Sequence, residues 1–143
     1  MQEILQKCQQ AGLRMTSQRL VIAQLIHEAD DHPDVDTIYR RANEIDSSIS
    51  LATIYRTVAI LEQAGVIEKL EIGDGRARYE AAGEHHDHLI CLCCGLIIEF
   101  EEDAIEELQN RVAEGLGFTV RWHRHEIYGY CGLPECQARA KEE

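Results

Sequence analysis

Two pairs of cysteines constrain this chain of 143 residues more than any other feature. Two residues separate Cys91 from Cys94, and four residues separate Cys131 from Cys136. Two cysteine pairs, each closely spaced but separated from the other by a long stretch of sequence, are typical of a tetrathiolate zinc site. Each pair gives two thiolates to one tetrahedral ion. Four thiolates leave no open position for a substrate, so the pattern predicts a structural zinc site. The alternatives are incidental buried cysteines or a redox Cys-x-x-Cys pair.

Two cysteines, Cys8 and Cys93, lie outside these pairs. Cys8 falls in a predicted helix, and we assign no function to it. Cys93 lies within the first pair, where it is either a thiol prone to oxidation or a competing ligand. The Cys-x2-Cys spacing favours Cys91 and Cys94 as the zinc ligands.

A histidine-rich segment, 84–88, leads directly into an apolar run. If this segment enters a strand, alternation places His86 and His88 on one side and His85 and Asp87 on the other. Each side then needs partners from elsewhere; the candidates are His32, Glu80, Glu99, Glu106 and His123. Mixed imidazole and carboxylate ligands suit Zn²⁺, Fe²⁺ or Mn²⁺. The alternative is a solvated histidine-rich loop.

Charge and metal-ligand residues are unevenly distributed along the chain. Acidic residues outnumber basic ones 26 to 14, and residues 1–82 hold 9 of those 14 bases. Residues 83–143 hold 5 of the 6 cysteines and 5 of the 7 histidines. This contrast predicts two domains, 1–82 and 83–143, joined at the small residues 81–83. The net charge of -12 confines any nucleic-acid contact to a local basic face.

Apolar runs in this chain are too short to span a membrane. The longest, 89–98, has ten residues, and the first ten residues lack the apolar core of a signal peptide. We therefore expect a soluble cytoplasmic protein with no membrane partner. In a reducing compartment the six cysteines point to metal binding or catalysis before disulfides.

The first domain is predicted to contain four helices followed by a β-hairpin. The helices are expected at about 2–10, at 17–29 after the N-cap Thr16, after the N-cap Asp36, and at 51–64 after the N-cap Ser50. The strands 66–72 and 76–80 flank the turn Gly73-Asp74-Gly75. This order describes a winged helix whose third and fourth helices form a helix-turn-helix.

The outward face of the fourth helix carries side chains that suit contact with DNA. They are Thr53, Tyr55, Arg56 and Thr57. Arginine can bind guanine edges or phosphate, and tyrosine can contact a thymine methyl group or phosphate. Further basic residues could surround this face: Arg14, Arg19, Arg40, Arg41, Lys69, Arg76 and Arg78. The alternative is a helical bundle with a solvated charged face.

The sequence lacks three motifs that mark metalloenzymes or nucleotide-binding enzymes. The His-x-His-x-Asp-His motif of binuclear hydrolases would need Asp and His where this chain has Ile90 and Cys91. A glycine-rich phosphate loop and a His-Glu-x-x-His helix are also missing. We expect no catalytic residues and no small-molecule substrate.

Four segments together resemble the ferric uptake regulator family: 12–19, 50–67, 85–95 and the distal cysteine pair. The resemblance extends over about residues 10–136. It implies an α+β fold with an N-terminal winged-helix DNA-binding domain and a small α/β dimerisation domain that holds the tetracysteine zinc site. It also implies a homodimer that binds an A/T-rich palindromic operator in double-stranded DNA.

The same resemblance implies roles for individual residues. Structural Zn²⁺ would be held by Cys91, Cys94, Cys131 and Cys136. A regulatory site between the domains would use His32, Glu80, His86, His88 and Glu99. An additional site in the second domain would use His85, Asp87, Glu106 and His123. DNA would be contacted by Arg14, Tyr55 and Arg56.

The family resemblance indicates a transcriptional repressor that senses Fe²⁺ and controls iron-uptake genes. Zinc-responsive and manganese-responsive branches keep much of the same ligand set and are the alternatives within the family. Peroxide-sensing members tend to have Asp at the positions of Glu80 and Glu99, which disfavours that branch. A zinc-storage protein is the alternative from another class, and it would not need Arg56 on a winged helix.

Overall fold

The structure is a computed structural model that describes residues 2–71 and 75–142. It divides into two compact units, residues 1–83 and 84–143. Helices and small sheets are both present, so the predicted α+β class is confirmed. Gly73 and Asp74 of the predicted hairpin turn lie outside the described residues. Among the described helices, none has the length and apolar character needed to cross a membrane.

The first unit contains four helices followed by an antiparallel pair of strands. They are α1 (Gln2–Gln10), α2 (Ser17–Glu28), α3 (Val35–Ile45), α4 (Leu51–Gln63), β1 (Ile67–Glu71) and β2 (Ala77–Ala81). The strands pair from Ile67 opposite Ala81 to Glu71 opposite Ala77. This is the predicted order of a helix-turn-helix followed by a wing.

Isoleucines from three helices form the core of the first unit. Ile22 of α2, Ile38 of α3 and Ile54 of α4 are at most 1% exposed, and α1 adds Ile4 and Cys8. Burial raises the pKa of the Cys8 thiol. Cys8 therefore serves as a small core residue, and the helices hold α4 firmly by its inner face.

The observed N-caps correct one prediction. Thr16 and Ser50 cap α2 and α4 as expected. The third helix, however, is capped by Asp34, whose Oδ1 accepts a hydrogen bond from the Thr37 backbone N–H at 2.9 Å. Asp34 directly follows Pro33 and keeps the extended backbone that an N-cap needs, whereas Asp36 already lies in the first helical turn.

The outward face of α4 is also narrower than predicted. Thr57 is only 2% exposed, whereas Tyr55 is 56% exposed. Thr57 lies three residues after Ile54 and four before Leu61, which places it on the inner face of the helix. The exposed face of α4 therefore carries Tyr55 and Arg56, with Thr53 half-buried beside them.

The second unit is built on a three-stranded sheet. Its elements are β3 (Asp87–Cys91), β4 (Ile97–Phe100), α5 (Asp103–Gly115), β5 (Glu126–Gly129) and α6 (Pro134–Ala140). The strand order is β4-β3-β5, with β3 antiparallel to β4 and parallel to β5. The parallel pairing requires a crossover, and α5 supplies it.

Apolar side chains remain exposed on one face of this sheet. Leu89, Ile98 and Ile127 lie side by side, one from each strand, and are 39%, 48% and 41% exposed. Helix α5 buries none of its described residues and leaves Leu108 and Val112 exposed. The second unit therefore buries little apolar surface within one chain.

The cap of α3 can be tested by comparing two aspartates. Asp34→Ala removes the acceptor for the Thr37 N–H, so we expect a loss of about 1 kcal/mol in the free energy of unfolding, within a range of about 0.5–2 kcal/mol. Asp36→Ala is the matched control and should change stability by less than about 0.5 kcal/mol. Urea denaturation followed by circular dichroism measures both. A larger loss for Asp36→Ala would contradict the assignment.

Candidate metal centres and nucleic-acid interface

The four paired cysteines come together in the second unit. The sulfur atoms of Cys91, Cys94, Cys131 and Cys136 all lie within 4.8 Å of one another. Cys91 is paired with Gly129 in the parallel register, so the end of β3 meets the chain that leaves β5. Gly95 N–H closes the turn after Cys91 by binding its carbonyl at 3.0 Å. Four sulfur donors in this arrangement fit a tetrahedral zinc ion.

The protein environment already favours one thiolate in this cluster. Burial raises the pKa of Cys91, but backbone N–H groups of Cys94, Cys131 and Cys93 more than offset it and lower that pKa to about 6. The Cys131 N–H lies 3.3 Å from the Cys91 sulfur. Burial and neighbouring thiols, Cys93 first among them, raise the pKa of Cys136. A bound cation is needed to deprotonate the whole set at neutral pH.

A buried imidazole–carboxylate pair lies in the first unit. Nε2 of His32 is 2.7 Å from Oε2 of Glu80, and the two residues are only 6% and 8% exposed. His32 has a φ of 51°, the left-handed region that non-glycine residues adopt rarely. Such a backbone conformation persists only where surrounding contacts enforce it.

Three of the arginines predicted to surround the DNA-binding face bind the loop that carries His32. Arg78 donates to the carbonyl oxygens of Asp31, at 2.7 Å, and of His32. Arg76 contacts the Asp34 carboxylate at 3.2 Å, and Arg41 donates to Asp31 at 3.0 Å. The hydrogen bond from Arg41 lowers the pKa of Asp31 despite partial burial. These arginines therefore fix the position of His32.

The predicted alternation of the histidine-rich segment is present in the second unit. His86 and His88 share one side, with ring centroids 4.7 Å apart. His88 is directly opposite Glu99 in the β3–β4 register, and Nε2 of His86 is 3.4 Å from Oε1 of Glu99. The second unit thus brings together three of the five residues expected at the regulatory site.

The other side of the segment forms a second mixed cluster. His85, Asp87, Glu106 and His123 offer donor atoms that all lie within 4.8 Å of one another. Nε2 of His85 is 3.0 Å from Oδ1 of Asp87, and Nε2 of His123 is 3.1 Å from Oε1 of Glu106. Two imidazoles and two carboxylates fit a borderline divalent cation. All four members of this cluster were expected from the sequence.

His125 lies near Asp87 and was not among the ligands expected from the sequence. Its Nδ1 lies 3.9 Å from Oδ2 of Asp87. The signal that could have found it is the spacing from His123, since residues two apart in an extended segment point to the same side.

The DNA-facing candidates all lie in the first unit. Tyr55 and Arg56 are exposed near the start of α4, and Nη2 of Arg56 lies 3.3 Å from Oγ1 of Thr53. Asn43 donates to the carbonyl oxygens of Tyr39 and Ile49, which closes the turn between α3 and α4. Arg14 is exposed ahead of α2. The helix-turn-helix geometry thus leaves the polar face of α4 open to solvent.

Comparison with known proteins identifies the family of this chain. Residues 10–128 match the ferric uptake regulator family. The ferric uptake regulation protein of Rhizobium leguminosarum bv. viciae is 50% identical over 123 residues, which cover 85% of this chain and 87% of that protein.

Two solved structures are similar along nearly their whole length. A zinc-bound manganese uptake regulator is 47% identical, with a TM-score of 0.74 over 88% of this chain and 96% of that one. The Helicobacter pylori ferric uptake regulator, described as having three functional metal-binding sites, is 31% identical, with a TM-score of 0.83 over 95% of this chain and 90% of that one. The chain therefore belongs to the ferric uptake regulator family and is a metal-responsive, DNA-binding transcription regulator.

Proposed function

We propose that this protein is a homodimeric repressor that binds an A/T-rich palindromic operator when Fe²⁺ is available and controls iron-uptake genes. The observation that carries the proposal is a pair of incomplete donor groups, one in each unit. His32 and Glu80 supply one imidazole and one carboxylate in the first unit. His86, His88 and Glu99 supply two imidazoles and one carboxylate in the second. The first group alone offers too few ligands for a strong site, and the second alone leaves coordination positions open.

The proposed regulatory site combines both groups on one cation. When bound, Fe²⁺ supplies a common centre for the five donors and favours one orientation of the two units. Arg78 keeps the His32 backbone in place by binding the carbonyls of Asp31 and His32. The coupling free energy required between metal binding and DNA binding is modest. A cation that binds the DNA-competent orientation more tightly by about 1.4 kcal/mol raises DNA affinity tenfold.

Operator contact is assigned to the exposed face of α4 and to the segment before α2. Arg56 and Tyr55 project from the helix that enters the major groove in helix-turn-helix proteins. Arg14 is assigned to the minor groove, where cationic side chains are attracted by the negative potential of A/T-rich sequence. Two such helices in a homodimer read the two halves of a palindrome.

The proposed dimer interface is the exposed apolar face of the second unit. Leu89, Ile98 and Ile127 form a continuous patch across all three strands. Association of two copies would remove this patch from water, which is favourable by about 25 cal/mol for each Å² buried. The first unit then remains available for DNA.

The tetracysteine cluster is assigned to structural Zn²⁺, held by Cys91, Cys94, Cys131 and Cys136. Sulfur donors of this number suit zinc and leave no position for exchange. The cluster of His85, Asp87, Glu106 and His123 is assigned to an additional divalent cation. Its nitrogen and oxygen donors differ in kind from those of the zinc cluster.

Mn²⁺ is the second candidate for the regulatory cation. It is favoured by the 47% identity with a solved manganese uptake regulator. Glutamate and histidine ligands accept both Fe²⁺ and Mn²⁺, so selection between them depends on geometry and availability.

The proposed regulation is tested by titrating Fe²⁺, Mn²⁺ and Zn²⁺ anaerobically into zinc-replete protein. Binding to an A/T-rich palindromic duplex is measured by fluorescence anisotropy at one salt concentration, because salt strongly affects DNA affinity. We expect Fe²⁺ to switch binding on and a chelator to reverse it. His86→Ala should abolish the response because it removes a ligand, whereas His27→Ala, outside all donor clusters, should retain it.

Other outcomes of the titration contradict specific parts of the proposal. A response to Mn²⁺ alone would replace iron with manganese as the regulatory metal. Metal uptake without any change in DNA binding would favour a zinc-storage protein. A full response in His86→Ala would place the regulatory site elsewhere.

Arg56→Ala tests the recognition face of α4. If Arg56 binds a base edge, the substitution should weaken operator binding by about 1–3 kcal/mol. Arg111→Ala, an exposed arginine of α5, is the matched control and should leave operator affinity unchanged. Unchanged affinity in Arg56→Ala would remove this residue from the interface.

Cys94→Ser tests whether Cys94 or Cys93 is the zinc ligand that accompanies Cys91. We expect loss of zinc and a lower melting temperature of the second unit, because structural zinc contributes directly to folding free energy. Cys93→Ser should retain one zinc per chain when measured by inductively coupled plasma mass spectrometry. If Cys93→Ser loses zinc and Cys94→Ser retains it, Cys93 takes the place of Cys94 as a zinc ligand.

A further inference from the structure

Asp87 is a buried carboxylate with one oxygen unaccounted for. The residue is 1% exposed, and its Oδ1 faces His85. Oδ2 has no hydrogen-bond partner among the described residues. A buried carboxylate oxygen is costly unless a donor or a cation compensates it. The unsatisfied oxygen therefore indicates that a ligand binds on this side of Asp87.

The group facing that oxygen is the His125 imidazole. Its Nδ1 lies 3.9 Å from Oδ2, too far for a hydrogen bond. With metal–ligand distances of about 2.0–2.2 Å, two donors of one cation lie roughly 3–4 Å apart. The separation therefore fits two ligands on a shared cation better than a direct contact.

Sheet pairing fixes the backbone that presents His125. The His88 N–H donates to the His125 carbonyl at 3.1 Å, immediately before β5 pairs with β3. The His125 ring packs edge-on against Phe100, with centroids 6.1 Å apart. Its side chain is 34% exposed, which leaves the imidazole room to rotate toward a cation.

We propose that His125 is a fifth ligand at the Asp87 cluster and sets its metal preference. This inference rests on the additional metal site of the proposed function. Asp87 would bind the cation through both oxygens, and His125 would bind through Nδ1. The donor set then contains three imidazole nitrogens and two carboxylates. More nitrogen donors favour Zn²⁺, Co²⁺ or Fe²⁺ over Mn²⁺ and Mg²⁺.

The test uses the whole chain, replete with zinc, in which His32→Ala and His88→Ala remove two of the five regulatory ligands. Co²⁺ binding is followed by its d–d absorption, and Mn²⁺ binding by the electron paramagnetic resonance signal of the free ion. His125→Phe removes Nδ1 but keeps a planar ring against Phe100. We expect Co²⁺ affinity to fall about tenfold or more, Mn²⁺ affinity to fall less than about threefold, and the Co²⁺ spectrum to change.

Two variants serve as controls. His85→Ala removes a ligand of the original cluster and should abolish Co²⁺ binding. His27→Ala lies in the first unit, outside the donor clusters, and should bind as the parent does. If His125→Phe does not fold, His125→Asn replaces the imidazole nitrogen with an amide, and the same preferential loss of Co²⁺ is expected.

The remaining outcomes separate this inference from the proposed site. Parent-like affinities and an unchanged spectrum in His125→Phe, with binding lost in His85→Ala, would overturn the role of His125 and leave the site standing. Equal weakening of both metals would overturn its role in metal preference. A parent that binds no Co²⁺ would overturn the additional site and the inference together.

Discussion

The alternation of side chains along β3 is the constraint on which the second unit depends. Asp87 and His88 are neighbours in sequence, yet a strand directs them to opposite sides, each toward a different donor cluster. Pairing with β4 places Glu99 opposite His88, and pairing with β5 brings the Cys131 segment beside Cys91. A slip of one residue in this register would exchange the two sides and dismantle every cluster at once.

Buried ionisable groups are concentrated where cations are proposed to bind. His32, Glu80, Asp87 and His88 are each less than 9% exposed. His32 and Glu80 contact each other, and Asp87 contacts His85. Such groups stabilise a fold poorly by themselves, because their desolvation offsets much of their attraction. The arrangement is better explained by ligand binding than by stability.

Much of the architecture was predictable from local chemistry, and the exceptions have physical reasons. The caps Thr16 and Ser50 and the helical core positions follow from propensity and periodicity. The cap of α3 was misplaced because Asp34 and Asp36 are both suitable residues, and only the extended backbone after Pro33 decides between them.

Tertiary contacts were harder to predict. Family resemblance supplied the expected grouping of distant ligands, but it gave no reason to include His125, whose position near Asp87 depends on parallel pairing. The loop-binding roles of Arg76 and Arg78 were likewise missed, because sequence shows charge and not its partner. Thr57 was assigned to the wrong face because its residue type suits either side of a helix.

The proposed association through the exposed apolar patch would link the folding of the second unit to the amount of protein present. A single copy leaves Leu89, Ile98 and Ile127 in contact with water. Ile90 is the main buried aliphatic side chain among the described residues of the second unit. Stability gained through association rises with subunit concentration by mass action. We therefore expect newly made subunits to mature faster as they accumulate, so that the supply of competent regulator responds more than linearly to its own synthesis.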